Sequence, residues 1–428
     1  MNGGYAICAG LEQVIDYICN LKFEDDDIQY LNSLNKFSDE FLDYLKTFKF
    51  TGDIWAIPEG TVVFPNEPLL TVRAPIIEAQ IIETMVLLLL NHQSLVATKS
   101  TRIVSAAKGR PVMEFGARRA HSIEAAVIGG CIGTSCTSTA QKFGTIASGT
   151  MAHSFVQSFN SEYDAFKAYA EVYPDDCTLL IDTYDTINSG VVNAIKVFND
   201  VLLPKGYRPK AVRLDSGDLA YLSKKVRKIL DENGFEDCKI CVSNSLDENL
   251  ITSLLEQGAK IDSFGVGENL ITAKSDPVFG GVYKLSAIEK NGEIIPKIKI
   301  SENVAKIINP GFKKVYRFYS KETEKALADV ITLHDEQIPD NNYSIFDPEN
   351  PWRKKALLNY YCKPLQEQIF KNGELVYSLP NLESISKHCK DELNSLWDEV
   401  KRINNPHKYY VDLSQKLWDL KNDMLHKA

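Results

Sequence analysis

Nine consecutive residues, Glu114-Phe-Gly-Ala-Arg-Arg-Ala-His-Ser122, bring together a carboxylate, an aromatic ring, a glycine, two guanidinium groups, an imidazole and a hydroxyl. Arg118 and Arg119 suit an anionic ligand, because each guanidinium forks onto carboxylate or phosphate oxygens and keeps its charge at physiological pH. The residues before them, Pro111 to Phe115, read as a short buried strand, and Ser122 to Cys131 read as a helix. The cluster therefore falls on a strand-to-helix turn, where functional groups collect. Comparable corners follow at Gly130–Ser138, Gly149–His153, Asp182–Asp185, Arg213–Asp218, Ser243–Ser245 and Gly265–Gly267. Small residues there let backbone N–H groups approach phosphate oxygens, and acids suit ribose hydroxyls or Mg²⁺. A histidine such as His153 can exchange a proton or a phosphoryl group. Each corner alone has a plainer reading: Asp215 and Asp218 as helix caps, Asp182 as a buried cap, His153 as a satisfied core histidine. Their recurrence at successive strand ends is what points to a site, and a phosphorylated sugar is the economical substrate.

The elements that must position these corners repeat. Apolar runs end near Phe115, Ala147, Asp182, Leu214, Val242 and Phe264, at spacings of about 20 to 35 residues, close to one βα unit. Amphipathic stretches lie between them, at Tyr163–Glu171, Val191–Leu203, Leu219–Asn233 and Glu248–Gln257. Strand-then-helix units in series predict an α/β barrel, or an incomplete one, with an open doubly wound sheet as the alternative. Before this repeat the sequence reads as packing helices from Gly4 to Phe50, short strands from Gly52 to Pro75, and helix from Ile76 to Ala107. After about Lys290 it predicts a hairpin in Asn291–Ser301, a short strand pair around Glu324–Glu336 and a polar loop over Glu336–Trp352. Leu382–Ala428 reads as a helix, a turn, a strand at Tyr409–Leu413 and a final helix, packing back on the N-terminal part. The expected division is a 1–108 α+β domain, a 109–335 barrel and a 336–428 C-terminal segment.

Composition narrows the function. With 48 basic and 57 acidic side chains and a net charge of -9, non-specific nucleic-acid binding is disfavoured, and any bound anion must meet a local cluster. The nine cysteines are scattered through apolar segments, which predicts a reducing, cytoplasmic setting. The one CxxC, Cys238 to Cys241, has no second pair at zinc-site spacing and reads as strand. Met85–Leu90 is far shorter than the roughly 20 residues of a membrane span. No GxxxxGK[ST] loop is present to hold a nucleotide, and no lysine stands at a strand end to support a Schiff-base aldolase.

The blocks EFGARRAHS, GTMAHSF, LLIDTYDT, RLDSGDL, FGVGENLIT and GGVYKL, in this order, resemble the nicotinate phosphoribosyltransferase family. The resemblance runs from YAICAGLEQVIDYI to NPHKYYVDLS. It implies an irregular α/β barrel beside an N-terminal domain, and transfer of the 5-phosphoribosyl group from its 1-pyrophosphate to nicotinate, coupled to ATP hydrolysis. It places Phe115 against the pyridine face and Arg118 near base and phosphates, with Arg119 in the same motif. It puts Arg213 and Asp215 at the base side and ribose, Ser216 and Gly217 as further contacts, and Gly265 and Gly267 in the 5-phosphate loop. His153 resembles the histidine phosphorylated by ATP, and Asp182 and Asp215 fall where ribose and Mg²⁺ are handled. A homodimer is implied. Related sequences carry a further N-terminal segment with an LTDLY motif, whose Tyr stacks on the pyridine from the neighbouring subunit; this chain begins MNGGYA. The expectation is therefore either an upstream start or a site with half its aromatic sandwich. Nicotinate is expected over nicotinamide, because the loop Gly130–Thr139 offers Thr134, Ser135, Thr137 and Ser138 but no acid. An Asp at position 135 is expected to repel the carboxylate of the base. The competing expectations are a non-catalytic ligand-binding relative and another sugar-phosphate barrel enzyme.

Overall fold

The computed structural model describes residues 4–120, 124–302 and 307–427. These form two compact units: one built from the chain up to Leu95 with Val278–Pro380 and the chain from Lys387 on, the other from Val96–Pro277 with Asn381–Ser386.

The second unit holds the βα repeat. Its strands are β1 (Val112–Glu114), β2 (Gly133–Thr134), β3 (Thr178–Leu180), β4 (Ala211–Leu214), β5 (Lys239–Val242) and β6 (Ser263–Val266), hydrogen-bonded in the order β2-β1-β6-β5-β4-β3. Every pairing is parallel. The last strand bonds to the first and the other neighbours are consecutive, which is the cyclic order of a barrel left open at a seam between β2 and β3. This is the incomplete barrel and not the doubly wound sheet, in which the chain's first strand lies inside an open order. Val212, Leu214, Ile240, Val242, Phe264 and Val266 are fully buried, as continuous apolar strands covered on both faces require. The helix Leu219–Glu232 begins at Asp218, whose carboxylate accepts from the Tyr221 N–H at 2.9 Å. Helix Glu248–Glu256 is capped in the same way by Asp247. Asp218 is thus the cap that the sequence allowed it to be.

One strand of this unit differs from expectation. Ala147 makes only an isolated bridge to Thr134, and the second strand is Gly133–Thr134, within the Gly-rich corner. A strand of two residues carries no apolar run, so its pairing to β1 is decided by tertiary context. The helix expected from Ser122 is described from Glu124 to Ile128; His121 and Ser122 lie outside the described residues.

In the first unit, helices Leu11–Asn20, Asp25–Ser33 and Asp39–Lys46 precede strands Asp53–Ala56 and Leu70–Arg73, as their periodicity predicts. Ala287–Lys290 and Glu293–Pro296 form the expected hairpin. The stretch read as a polar loop instead contains the hairpin of Tyr343–Asp347 with Asn350–Leu357, its strands masked in sequence by Asp, Asn and Pro. Strand Val411–Leu413 pairs with Ala326–Leu333, and Leu413 and Leu417 share a core with Cys8, Ile57 and Val63 from the N-terminal part. Beside it Arg317, fully buried, lies opposite Asp329 across two antiparallel strands and donates to both of its carboxylate oxygens. The same guanidinium donates to Glu392 at 2.6 Å and to the Val62 carbonyl at 2.8 Å, and faces the Phe64 ring, on which Tyr409 stacks. Taking these charges out of water is tolerable only because each has partners.

Candidate active site

The corners converge within the barrel unit, at the C-terminal ends of its strands. Asp182, two residues beyond β3, is buried; its Oδ2 accepts from the Asp215 N–H at 2.7 Å and from the Ser216 hydroxyl at 2.6 Å. Its Oδ1 is buried with no hydrogen-bond partner among the described residues and faces Nε2 of His153 at 3.9 Å. Asp215 Oδ2 approaches the same nitrogen at 3.6 Å. The Nδ1 of His153 meets the Thr183 hydroxyl at 3.1 Å. Nε2 is therefore the ring nitrogen turned to the carboxylates.

Arg213, on β4, is held on three sides. Its guanidinium donates to Ser243 at 2.9 Å, to Thr150 at 2.7 Å and to Asp215 at 2.9 Å, and Ser243 also donates to Asp215. It stands 5.2 Å from the centre of the Phe115 ring, within cation–π range. The ring in turn fixes what β6 can carry. A Cβ on Gly265 would sit 2.2 Å from a Phe115 ring carbon, so Gly265 makes room for the aromatic side chain. Gly116 and Gly267 let two turns cross, since a Cβ on Gly116 would lie 2.9 Å from the Gly267 carbonyl. Gly217 has φ +78, a conformation that glycine adopts without strain, and this aims Ser216 back at Asp182.

The two arginines separate. Arg119 forms an ion pair with Glu268, which also holds Lys274 at 3.1 Å. Arg118 is exposed and makes no ion pair among the described residues, so it is the guanidinium available to an incoming anion.

Burial pushes Cys238 up to about 12 and raises Cys241, which suits the strand role of that CxxC and leaves no ligand thiolate. Among the described residues no group of three or more His, Cys, Asp and Glu could hold a metal ion. No helix of the described residues is long and apolar enough to cross a membrane.

Residues 1–91, 111–317 and 312–421 match, in turn, the models described as nicotinate phosphoribosyltransferase (NAPRTase) N-terminal domain, NAPRTase family and C-terminal domain. The chain is 45% identical over 436 residues to nicotinate phosphoribosyltransferase of Bacillus subtilis (strain 168), covering 99% of this chain and 88% of that one. This chain belongs to the nicotinate phosphoribosyltransferase family. It is also 28% identical to the Homo sapiens relative of that name over 99% of its length and 89% of the relative's. The crystal structure of human nicotinic acid phosphoribosyltransferase superposes with a TM-score of 0.86 at 26% identity, covering 99% of this chain and 93% of that one. A nicotinate-nucleotide pyrophosphorylase from Pyrococcus furiosus follows at 0.67 and 27% identity, covering 91% and 85%.

At the strand ends the structure brings together Phe115, Arg213, Asp215, Ser216, Asp182 and His153, and adds Thr150 and Ser243, whose hydroxyls hold Arg213. Those two stand in the corner blocks, but only the fold shows their common partner. Thr134 takes a different place from the one expected. It is fully buried, its hydroxyl donates to Glu114 at 2.7 Å and accepts from the Cys136 N–H at 3.0 Å, and so it is committed inside the turn. Ser135 also points at Glu114, at 3.4 Å. The loop has no acid of its own, yet one lies directly beneath it. An Asp at position 135 would meet Glu114 first and would not report on the charge of a ligand.

Proposed function

We propose that this enzyme transfers the phosphoribosyl group from 5-phosphoribosyl 1-pyrophosphate to nicotinate, giving nicotinate mononucleotide and pyrophosphate, a salvage step of NAD synthesis. Membership of the family carries the reading, and the observation that fits it best is Arg213, clamped by Thr150, Ser243 and Asp215 beside the half-exposed Phe115 ring. In the reaction the pyridine nitrogen lone pair forms the bond to ribose C1 while the electrons of the C1–O bond leave with pyrophosphate. No proton has to move and no protein nucleophile is needed. The protein positions the ring and meets charge where it develops. Arg213 needs no reorganisation to present its charge. Arg118 is free to meet an anionic group, and the Asp182–Asp215 pair lies ready for ribose hydroxyls and for positive character at C1.

Asp182 Oδ1, buried with no hydrogen-bond partner among the described residues, and Asp215 Oδ2 beside it are oxygen donors of the kind that a hard divalent cation takes. We assign them to Mg²⁺, which keeps several waters and typically shares its coordination between one or two carboxylates and substrate phosphates. Bound there, it would neutralise phosphate charge. His153, with Nδ1 engaged by Thr183, is the proposed acceptor of a phosphoryl group from ATP at Nε2. We further propose a cytoplasmic homodimer, checked by light scattering at micromolar concentration, where a monomer alone would count against it. The direct test of function is pyrophosphate release from phosphoribosyl pyrophosphate with nicotinate or nicotinamide at equal concentration. Absence of release sinks the assignment, and preference for the amide overturns the choice of base.

A further inference from the structure

Glu114, at the end of β1, is fully buried, and the reaction as described does not use it. Its Oε1 accepts from the Gly116 N–H, and its Oε2 accepts from the hydroxyls of Thr134 at 2.7 Å and Ser135 at 3.4 Å. The link is reinforced from both sides: the Ser135 N–H donates to the Glu114 carbonyl at 2.9 Å, and the Ala117 N–H donates to the Ser135 hydroxyl at 3.3 Å. Among the described residues no Lys, Arg or His forms an ion pair with it, and its donors there are neutral. A buried charge costs several kcal/mol unless it is hydrogen-bonded. Stability alone would be served as well by an apolar pair of the same shape. What the carboxylate supplies is an acceptor for donors from two separate segments at once. One is the turn that carries Phe115 and Arg118; the other is the β2 end, Thr134–Ser135.

We propose that Glu114 is a positioning residue for the base, tying the Phe115–Arg118 turn to the β2 end so that the aromatic ring and the free guanidinium stand at one fixed separation. This rests on the function proposed above. Because the clamp acts on the bound base in ground and transition states alike, its loss should raise KM and leave kcat nearly alone.

A glutamine at 114 keeps an acceptor for Gly116 but loses the one for Thr134, and Thr134→Val removes the same bond from the other side. Each is expected to raise the KM for nicotinate about tenfold, with kcat within about twofold. The double variant should be little worse than either single one, since both break one interaction. Additive effects, about a hundredfold, would overturn the proposal, as would an unchanged KM or a collapse of the domain in Glu114→Gln. Amide exchange in the unliganded protein gives a readout that needs no turnover. Glu114→Gln should speed exchange at Gly116, Ala117, Ser135 and Cys136 together, while β4 and β5 stay protected; change in one segment alone refutes the clamp. Failure of wild-type turnover would instead sink the function, whatever the exchange shows.

Discussion

Replacing Gly265 by alanine tests whether this glycine serves a phosphate or the Phe115 ring. The added Cβ would stand 2.2 Å from the nearest ring carbon and 2.3 Å from the next. That is short of the roughly 3.5 Å at which carbons pack by about 1.3 Å. The backbone of Phe115 cannot retreat freely, because its N–H donates to the Val266 carbonyl at 2.8 Å, so the ring must swing. A misplacement of about 1 Å in a positioned group costs on the order of 100-fold in rate, and overpacking of this kind costs about 1–3 kcal/mol of stability. Gly265→Ala should therefore lower kcat/KM for nicotinate by about 100-fold and reduce the melting midpoint. The second change Phe115→Ala should restore the midpoint to that of Phe115→Ala alone, because the clash is gone. Steady-state kinetics with each substrate varied, and thermal melts of the variants, decide the matter. Wild-type kinetics toward nicotinate, or a rise confined to the KM for phosphoribosyl pyrophosphate, would refute the reasoning and return Gly265 to a phosphate role.

Arg213→Ala and Asp215→Ala should each lower kcat by at least about 100-fold with melting midpoints near wild type; loss of folding would make them structural. His153→Ala should abolish ATP hydrolysis and the transfer of labelled phosphate to the protein while leaving a slow ATP-independent transfer, and label retained by the variant would exclude His153 as the acceptor. Burial raises the carboxyl of Glu59 from 4.5 to about 7, against hydrogen bonds from Gly10 and Leu11 that lower it. Its folded value is the higher one, so its contribution is complete below pH 4.5 and is lost as pH rises through 7, a change of about 3 kcal/mol. Glu59→Gln should flatten the fall in melting midpoint between pH 5 and pH 8, and equal slopes for the two proteins would refute this.

The barrel was legible because each of its longer strands is an apolar run followed by a polar corner, as in Leu179-Leu-Ile-Asp182 and Val212-Arg-Leu-Asp215. β2 was not, because Gly133 and Thr134 owe their strand state to Glu114 and Met113 across the ladder. The corner residues pointed to the site, but partnership is a property of three dimensions. Nothing in the spacing told Arg118 from Arg119 until Glu268 was seen to hold the latter. The doublet of hydroxyls in the β2 corner read as ligand contacts because the carboxylate that takes them up lies some twenty residues earlier in the chain. That Gly265 also makes room for the Phe115 ring was hidden for the same reason: the ring follows another strand.

The buried Arg317 group has a consequence for how the protein is made. Its members come from Phe64, Arg317, Asp329, Glu392 and Tyr409, so the first of them leaves the ribosome long before the last. Until Tyr409 emerges, Asp329 lacks one of its donors and the Phe64 face lacks its cover. The barrel unit, apart from Asn381–Ser386, is by contrast synthesised before any of Arg317's charged partners. The unit that carries the chemistry can fold early, while Cys8, Ile57 and Val63 wait for Leu413 and Leu417 to complete their core at the end of translation. Truncation of even the last few dozen residues should therefore leave a nascent chain that depends on chaperones although its catalytic residues are all present.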